Sequence, residues 1–236
     1  MQLLGAVFRR PQRMHMFFKE LIREIYNQGV GSIWIVALVS FFIGAVVSIQ
    51  LAINMASPLI PKFTIGYTAR EIVLLEFSST IMCMILAGKC GSSIASEIGT
   101  MRISEQIDAM DIMGVNAASY IILPKVLGLM LYVPILVLFS MFVGIGGGYL
   151  ACLMIPDIPI SEFEMGLQLF FVPYNILYSI IKSVVYVFFI TTLASYYGYF
   201  VEGGALEVGK ASTQAVVASN VAILICDLVL TQLLLT

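Results

Sequence analysis

Three charged residues, Glu76, Lys182 and Asp227, lie inside long apolar stretches. Side chains of these types at such positions could bind ions, protons or polar groups. A charged group at the bilayer centre costs on the order of 2.5–3.5 kcal/mol on insertion scales. We therefore expect the three side chains to lie in the protein interior and to face one another, a dimer interface or a wet cavity. They could form a structural ion-pair cluster, line or gate a substrate path, or relay protons. We expect Lys182 to pair with at least one carboxylate, because a pair offsets part of the desolvation cost.

Other residues that often carry chemistry give no such signal. The four cysteines stand singly in apolar runs, and the lone histidine, His15, has no neighbouring ligand, so neither a disulfide framework nor a metal site is expected. Gly144, Gly146, Gly147 and Gly148 lie in an apolar stretch without the Lys-Ser/Thr of a phosphate loop, which favours close helix packing. We therefore expect no catalytic residue, no metal and no cofactor.

The elements that position these residues are transmembrane helices. Hydrophobic residues make up 60% of the 236 residues and charged residues 11%, with a mean hydropathy of +1.01. A soluble domain carries roughly twice that share of charge, and a membrane-spanning helix needs about 20 apolar residues. The sequence predicts an all-α integral membrane protein with about five transmembrane helices. We place these spans at 30–57, 70–88, 117–154, 171–200 and 211–235.

Residues 12–28 form an amphipathic segment rather than a span. Apolar residues recur at i, i+3 and i+4, and charged residues take the other face. The apolar set is Met14, Phe17, Phe18, Leu21, Ile22 and Ile25, and the charged set is Arg13, Lys19, Glu20, Arg23 and Glu24. Pro11 suits the first turn of a helix. The pattern favours a helix in the membrane interface, and the alternative is a helix packed on a soluble partner.

Residues 88–116 hold most of the remaining charge. Within them, 104–113 reads as a short helix, with Ser104 as N-cap and Gly114 at its end. Ile107, Met110 and Met113 would line one face of this helix. These residues alone leave two interpretations open. The segment is either a coupling helix that docks on a cytoplasmic partner or a solvated loop with an interfacial helix.

Lys and Arg residues set the expected orientation, because they concentrate in cytoplasmic loops. The N-terminal segment, residues 88–125 and the loop after span four together carry nine of these residues, against two on the other side, Lys62 and Arg70. We therefore expect a cytoplasmic N-terminus and, after five spans, a periplasmic C-terminus.

The stretch from Ala87 to Asn116 resembles the signature of MlaE-type permeases, the membrane subunits of ABC lipid transporters that work with MCE proteins. The matching positions are Ala87, Gly88, Gly91, Ala95, Glu97, Gly99, Met101, Arg102, Glu105, Gln106, Met113 and Val115, with Lys89 in place of the usual Arg. Further resemblance covers 181–185, 209–217 and 227–231. One position departs from the family pattern, because Leu75 stands where an Arg often precedes the carboxylate of Glu76.

The resemblance implies a permease subunit that moves phospholipid between inner and outer membranes, powered by a separate ATPase subunit. It implies a homodimer of this chain in the bacterial inner membrane, a periplasmic MCE-domain partner and no nucleic acid. It assigns coupling to the ATPase to Gly91, Glu97, Gly99, Arg102, Glu105, Gln106, Asp108 and Met113.

Two other function classes are open to a membrane protein with these buried charges. An ion-coupled secondary transporter would use Glu76, Lys182 and Asp227 as coupling groups, but we find no internal repeat of the kind common in such proteins. A purely structural membrane anchor would leave the buried charges and the long signature without a purpose. An ATPase that co-purifies with the chain would argue against the secondary transporter, and bound lipid would argue against the anchor.

The orientation makes a direct prediction. In a variant without native cysteines, a cysteine placed at Ser104 should react with an impermeant thiol reagent only from the cytoplasmic side. The same reagent applied to intact cells should leave it unlabelled. Labelling of this cysteine from the periplasmic side would contradict the predicted topology.

Overall fold

The computed structural model describes residues 14–55, 61–154 and 159–235, and these ranges are helical, without strands. The α-helices are α1 Met14–Glu24, α2 Ile33–Asn54, α3 Phe63–Ile72, α4 Met82–Leu86, α5 Ser92–Ile103, α6 Gln106–Ile112, α7 Ala117–Leu153, α8 Ile160–Gln168, α9 Tyr174–Tyr199 and α10 Ala205–Leu235. The predictions that concern Pro11, Arg13 and the end of span one after residue 55 lie outside the described residues.

Five helical stretches in the described ranges are long and apolar enough to cross a membrane, which confirms the all-α class and the expected number of spans. They are Met16–Asn54, Phe63–Ile103, Ala117–Leu153, Tyr174–Tyr199 and Ala205–Leu234. The helix stays continuous through Pro124 and Pro134. The second stretch is longer than the predicted 70–88, because the helix continues through the charged segment to Ile103. Ile94, Ala95 and Ile98 are fully buried there, so packing supports a helix where charge suggested a loop.

Four short segments link the α-helices with altered helical hydrogen bonding. Three are π-helical, Ile25–Gly29, Val73–Ile81 and Ala87–Gly91, and one is a 3₁₀ turn, Val30–Ser32. Such segments loosen the regular ladder and often occur at functional sites. Glu76 lies in the second π segment, and Gly91 ends the third.

The chain divides into two compact units. Unit one contains residues 1–31, 83–133 and 184–236, and unit two contains residues 32–82 and 134–183. Helices α7 and α9 each contribute residues to both units.

In unit two, α2 and α7 cross at backbone contact. A Cβ atom on Gly44 would overlap the carbonyl oxygen of Gly144, and one on Gly147 would overlap the carbonyl oxygen of Phe41. Helices in lipid gain no hydrophobic driving force from pairing, so small residues that permit close van der Waals contact take its place. The glycine-rich stretch of span three therefore packs helices closely, as predicted.

A second close crossing in unit two joins α3 to α8. A Cβ atom on Gly66 would overlap the carbonyl oxygen of Phe163, and one on Gly166 would overlap that of Phe63. Phe163 itself is almost fully buried. This crossing places the end of α8 beside the residues that begin span two.

Neighbouring glycines in α7 give a matched test of the close crossing. Gly147→Ala should lower the thermal unfolding midpoint, because the added methyl group meets backbone, and overpacking costs about 1–3 kcal/mol. Gly146→Ala should be neutral or stabilising, since no atom lies within 4 Å of its would-be Cβ. Thermal unfolding of the detergent-solubilised protein measures both. Equal effects of the two variants would contradict the packing argument.

Candidate functional site

Unit two contains the predicted pair between Lys182 and Glu76. The Lys182 ammonium lies 3.2 Å from a carboxylate oxygen of Glu76 and also donates to the Leu75 carbonyl at 3.4 Å. It lies 4.8 Å from the centre of the Tyr178 ring, close enough for a cation–π contact. The Thr80 hydroxyl donates to the second Glu76 oxygen at 3.1 Å. The expected partner of Lys182 is therefore present.

The two members of this pair differ in burial. The side chain of Lys182 is fully buried, whereas that of Glu76 is 44% exposed on the surface of this chain. Glu76 is therefore only partly buried within this single chain, and a dimer interface or wet cavity on its open side stays a prediction. The buried ammonium compensates the charge on one side of the Glu76 carboxylate and leaves its other side open. Glu76 lies on a helical stretch apolar enough to span a membrane.

The third predicted charge, Asp227, lies in unit one on α10. It accepts a hydrogen bond from the Tyr186 hydroxyl at 2.8 Å, and the Thr231 hydroxyl lies 3.4 Å from the same carboxylate oxygen. Tyr186 is fully buried, while Asp227 is half-buried. These contacts give the carboxylate local partners within its own unit. A cluster of all three charges stays a prediction.

Sequence reasoning missed a polar network around Arg70. Its side chain is 2% exposed, and its guanidinium donates to the carbonyls of Leu167 at 2.7 Å and Leu169 at 2.9 Å, at the end of α8. It also pairs with Glu71 at 2.7 Å, and the Asn175 amide donates to that carboxylate at 2.7 Å. A cation at a helix C-terminus satisfies free carbonyls and the helix dipole. Arg70 therefore caps a helix, and counting it as a loop charge was wrong.

Helix α6 lies within the predicted coupling segment 104–113. Ile107 is fully buried and anchors the helix to unit one. Glu105, Gln106 and Asp108 are exposed, and Met113 keeps 71% of its surface open. Half of the predicted coupling residues thus form one accessible surface, here called the α6 surface and defined by these four residues.

The ends of α6 differ in part from the prediction. Ser104 is not the N-cap, because its hydroxyl donates back to the Thr100 carbonyl at 2.7 Å and closes α5. The N-cap is Glu105, which adopts a left-handed conformation with φ of 59°. Gly114 ends the helix as predicted, with φ of +76° and its N–H bonded to the Asp111 carbonyl at 3.0 Å. The sharp turn between α5 and α6 therefore depends on Glu105, whose side chain makes this conformation costly.

A second contact fixes α6 to α5. Arg102, near the end of α5, forms an ion pair with Asp108 of α6. The same guanidinium lies 6.0 Å from the centre of the Tyr199 ring. Both predicted coupling residues are therefore used within unit one to hold the turn, and Asp108 keeps part of its side chain exposed.

The small signature residues are packing positions. Gly91 and Gly99 are buried, and a Cβ atom on Gly99 would lie 3.0 Å from a methyl group of Val208 in α10. A Cβ atom on Gly198 of α9 would lie 2.7 Å from the Ala95 carbonyl oxygen. Close contact with α9 and α10 therefore explains the small residues of α5. Because Gly91 and Gly99 are buried, they are not part of the accessible α6 surface.

The remaining predicted coupling residue, Glu97, belongs to a cluster that the sequence did not reveal. Lys125 of α7 lies 2.6 Å from Glu97 and 2.5 Å from Glu24 of α1. Both Lys125 and Glu24 are buried. Counting Lys125 among the loop charges of residues 88–125 was therefore wrong, and Glu24 does not lie on a solvated face of α1. One signal was available: Phe17, Glu24 and Gln28 share a helical face, and all three are buried.

The Lys182–Glu76 pair predicts non-additive substitutions. Glu76→Ala removes a partner from a buried ammonium, and Lys182→Ala removes the cation beside the carboxylate, so each should cost about 1–3 kcal/mol of stability. The double variant should lose less than the sum of the two. A double-mutant cycle on thermal stability measures the coupling.

Asp227→Ala, combined with Lys182→Ala in the same cycle, tests the three-member cluster. Coupling between these two substitutions would support the cluster. Additive effects of Lys182→Ala and Asp227→Ala would restrict the partner of Lys182 to Glu76. Additive effects in both cycles would contradict any energetic coupling of Lys182 to a carboxylate.

Comparison with known proteins agrees with the signature. The family model described as Permease MlaE matches residues 21–233. A probable ABC transporter permease protein of Rickettsia bellii is 32% identical over 234 residues, covering 98% of this chain and 87% of the relative. One from Synechocystis is 30% identical over 232 residues, covering 98% and 88%.

A plant protein is similar as well. The chloroplastic protein TRIGALACTOSYLDIACYLGLYCEROL 1 of Arabidopsis thaliana is 30% identical over 230 residues, covering 98% of this chain and 65% of the relative. The resemblance inferred from the signature is thereby confirmed, since the family model spans nearly the whole chain. This multi-pass helical membrane protein belongs to the MlaE permease family, whose relatives named above include ABC transporter permeases.

Proposed function

We propose that this permease subunit moves phospholipid between the inner and outer membranes, driven by a separate ATPase subunit. The observation that carries the proposal is the α6 surface, an exposed polar and Met-bearing face on a helix anchored by buried Ile107. It continues directly from the packed signature helix α5. A movement imposed on α6 therefore reaches the packed interior of unit one through a short turn.

The ATPase contact is assigned to Glu105, Gln106, Asp108 and Met113. Ile112 extends the same surface, with 88% of its side chain exposed. Two large apolar side chains beside acidic and amide groups suit a partner groove that combines an apolar floor with basic residues. Exposed apolar residues at the tip of a short helix are otherwise unfavourable in water, which supports an occupied surface.

The Lys182–Glu76 pair is assigned to the lipid path. Glu76 keeps an open side although a buried cation holds its other side, and both residues lie in candidate spans. A carboxylate in this setting can bind a polar headgroup or contact a second copy of the chain. Either contact would spare the carboxylate the free-energy cost of facing hydrocarbon. The Arabidopsis relative carries the name of a glycolipid, which supports a lipid as cargo.

A homodimer in the bacterial inner membrane and a periplasmic MCE-domain partner complete the proposal. Helix α10 is the proposed dimer surface; its exposed apolar face, which includes Leu224, Ile225 and Leu228, suits lipid equally well, so only Asp227 favours a second copy. Half-buried Asp227 lies on the same helix and would be sheltered by a second copy. The orientation stays as expected from the Lys and Arg distribution, with the N-terminus cytoplasmic and the C-terminus periplasmic.

The proposal is tested by purifying the chain from native membranes and identifying bound proteins and lipids by mass spectrometry. We expect an ABC ATPase, an MCE-domain protein and phospholipid. Glu105→Lys should lose most of the bound ATPase and its stimulation, at least about tenfold, since a reversed charge opposes a basic partner. The inserted permease should retain its bound lipid.

Glu202→Lys is the matched control, because Glu202 is an exposed acidic residue outside the signature. It should leave ATPase binding unchanged. Full binding and stimulation in Glu105→Lys would remove the docking assignment. A purified complex without an ATPase, whose transport follows an ion gradient, would replace the whole proposal by a secondary transporter.

A further inference from the structure

One buried lysine in unit one holds two carboxylates from different helices. Lys125 of α7 lies 2.5 Å from Glu24 of α1 and 2.6 Å from Glu97 of α5. The lysine side chain is 3% exposed and that of Glu24 is 9% exposed, whereas Glu97 keeps 41%. One cation therefore compensates two anions, and its removal would leave the buried Glu24 carboxylate without its cation and beside the carboxylate of Glu97.

The packing around this cluster brings α1 against α7. A Cβ atom on Gly128, three residues after Lys125, would lie 3.5 Å from the Cβ of Glu24. A Cβ atom on Gly29, in the π segment after α1, would overlap the ring of Tyr132. Lys125, Gly128 and Tyr132 recur on one face of α7 at i, i+3 and i+7. The ion cluster thus lies at one end of a continuous contact along α7.

The signature segment also bonds to the irregular turn that follows α1. The Lys89 ammonium donates to the Gly31 carbonyl, and the Cys90 thiol lies 3.8 Å from the Gln28 carbonyl oxygen. The Gln28 side-chain amide donates to the Ser93 hydroxyl at 3.1 Å. A π segment and a 3₁₀ turn leave carbonyls without their regular helical partners, and side chains from residues 89–93 bond to two of them.

We propose that Lys125 is a positioning residue that clamps the N-terminal helix α1 to the signature helix α5, so that both helices move together. Because the Glu105 turn and the Arg102–Asp108 pair join α6 to α5, the clamp passes a displacement of α6 on to α1. This role rests on the proposed function, since the displacement would come from the ATPase. Glu97 then acts in coupling through Lys125, while the α6 surface contacts the partner.

The clamp is tested by measuring the distance between α1 and α5 with spin labels on cysteines at Phe18 and Thr100, both exposed. The background carries Cys90→Ser, which keeps a donor at that position, and alanine at the other three cysteines. Lys125→Met should broaden the distance distribution, and Lys125→Arg should restore a narrow one. Glu24→Gln frees only the α1 arm and keeps the Lys125–Glu97 pair, so it should fold and still broaden the distribution.

The charge swap Lys125→Glu with Glu24→Lys should restore part of the narrow distribution, because it keeps one cation and two carboxylates. Lys210→Met is the control, since Lys210 pairs at 2.6 Å with Glu207 on an exposed surface of α10. It should leave the distribution unchanged.

The functional readout uses the complete complex in lipid. Glu24→Gln should keep the ATPase bound and hydrolysing ATP. It should reduce the lipid transported per ATP hydrolysed at least about tenfold, which corresponds to a loss of about 1.4 kcal/mol of coupling free energy. A purely structural role would lower the amount and the thermal stability of the complex without changing the ratio of lipid transported to ATP hydrolysed.

An unchanged distance distribution in Lys125→Met and Glu24→Gln overturns the clamp. A broadened distribution with an unchanged transport ratio overturns the coupling role of the clamp. A wild-type complex without ATP-driven transport refutes the proposed function instead, while the distance measurement still decides whether the clamp exists.

Discussion

A charge inside a lipid-embedded protein must have a partner, because hydrocarbon offers neither water nor counterions. This constraint explains the polar interactions of both units. Buried Lys182 binds Glu76, buried Lys125 binds two carboxylates, and buried Arg70 binds the last carbonyls of α8. Each cation joins residues far apart in the chain, so each partnership also fixes a helix to a neighbour. Polar groups that are costly alone therefore become the contacts that determine how the helices pack.

The same environment explains the distribution of glycine. Apolar side chains gain little by leaving lipid for another apolar surface, so helix association depends on close van der Waals contact and hydrogen bonds. Gly44 and Gly147 permit such contact between α2 and α7, and Gly99 permits it between α5 and α10. Close packing also shortens the distance over which a polar bond can form, as between the hydroxyls of Ser40 and Ser140 at 2.8 Å.

The signature segment combines two physical tasks within about 30 residues. Its first half is helical and packed against neighbouring helices, where Gly91 and Gly99 serve packing and Glu97 serves an ion cluster. Its second half is the exposed α6 surface. The left-handed Glu105 separates the halves and makes the direction of the chain change within a single residue. Strained backbone persists only where surrounding contacts hold it, and here buried Ile107 and the Arg102–Asp108 pair hold the turn.

The sequence by itself determined the features that depend on local composition. Five apolar stretches of sufficient length predict the spans, Gly114 predicts the end of α6, and the ordered signature identifies the family. Tertiary structure decided the features that depend on partners. Lys125 and Glu24, 101 positions apart, each looked like an ordinary surface charge, and only the packing of α1 on α7 buries them together. The burial of a side chain and the identity of its ion-pair partner depend on which residues are close in space. Helical periodicity specifies the face of a helix on which a residue lies, but it does not specify which helix packs against that face.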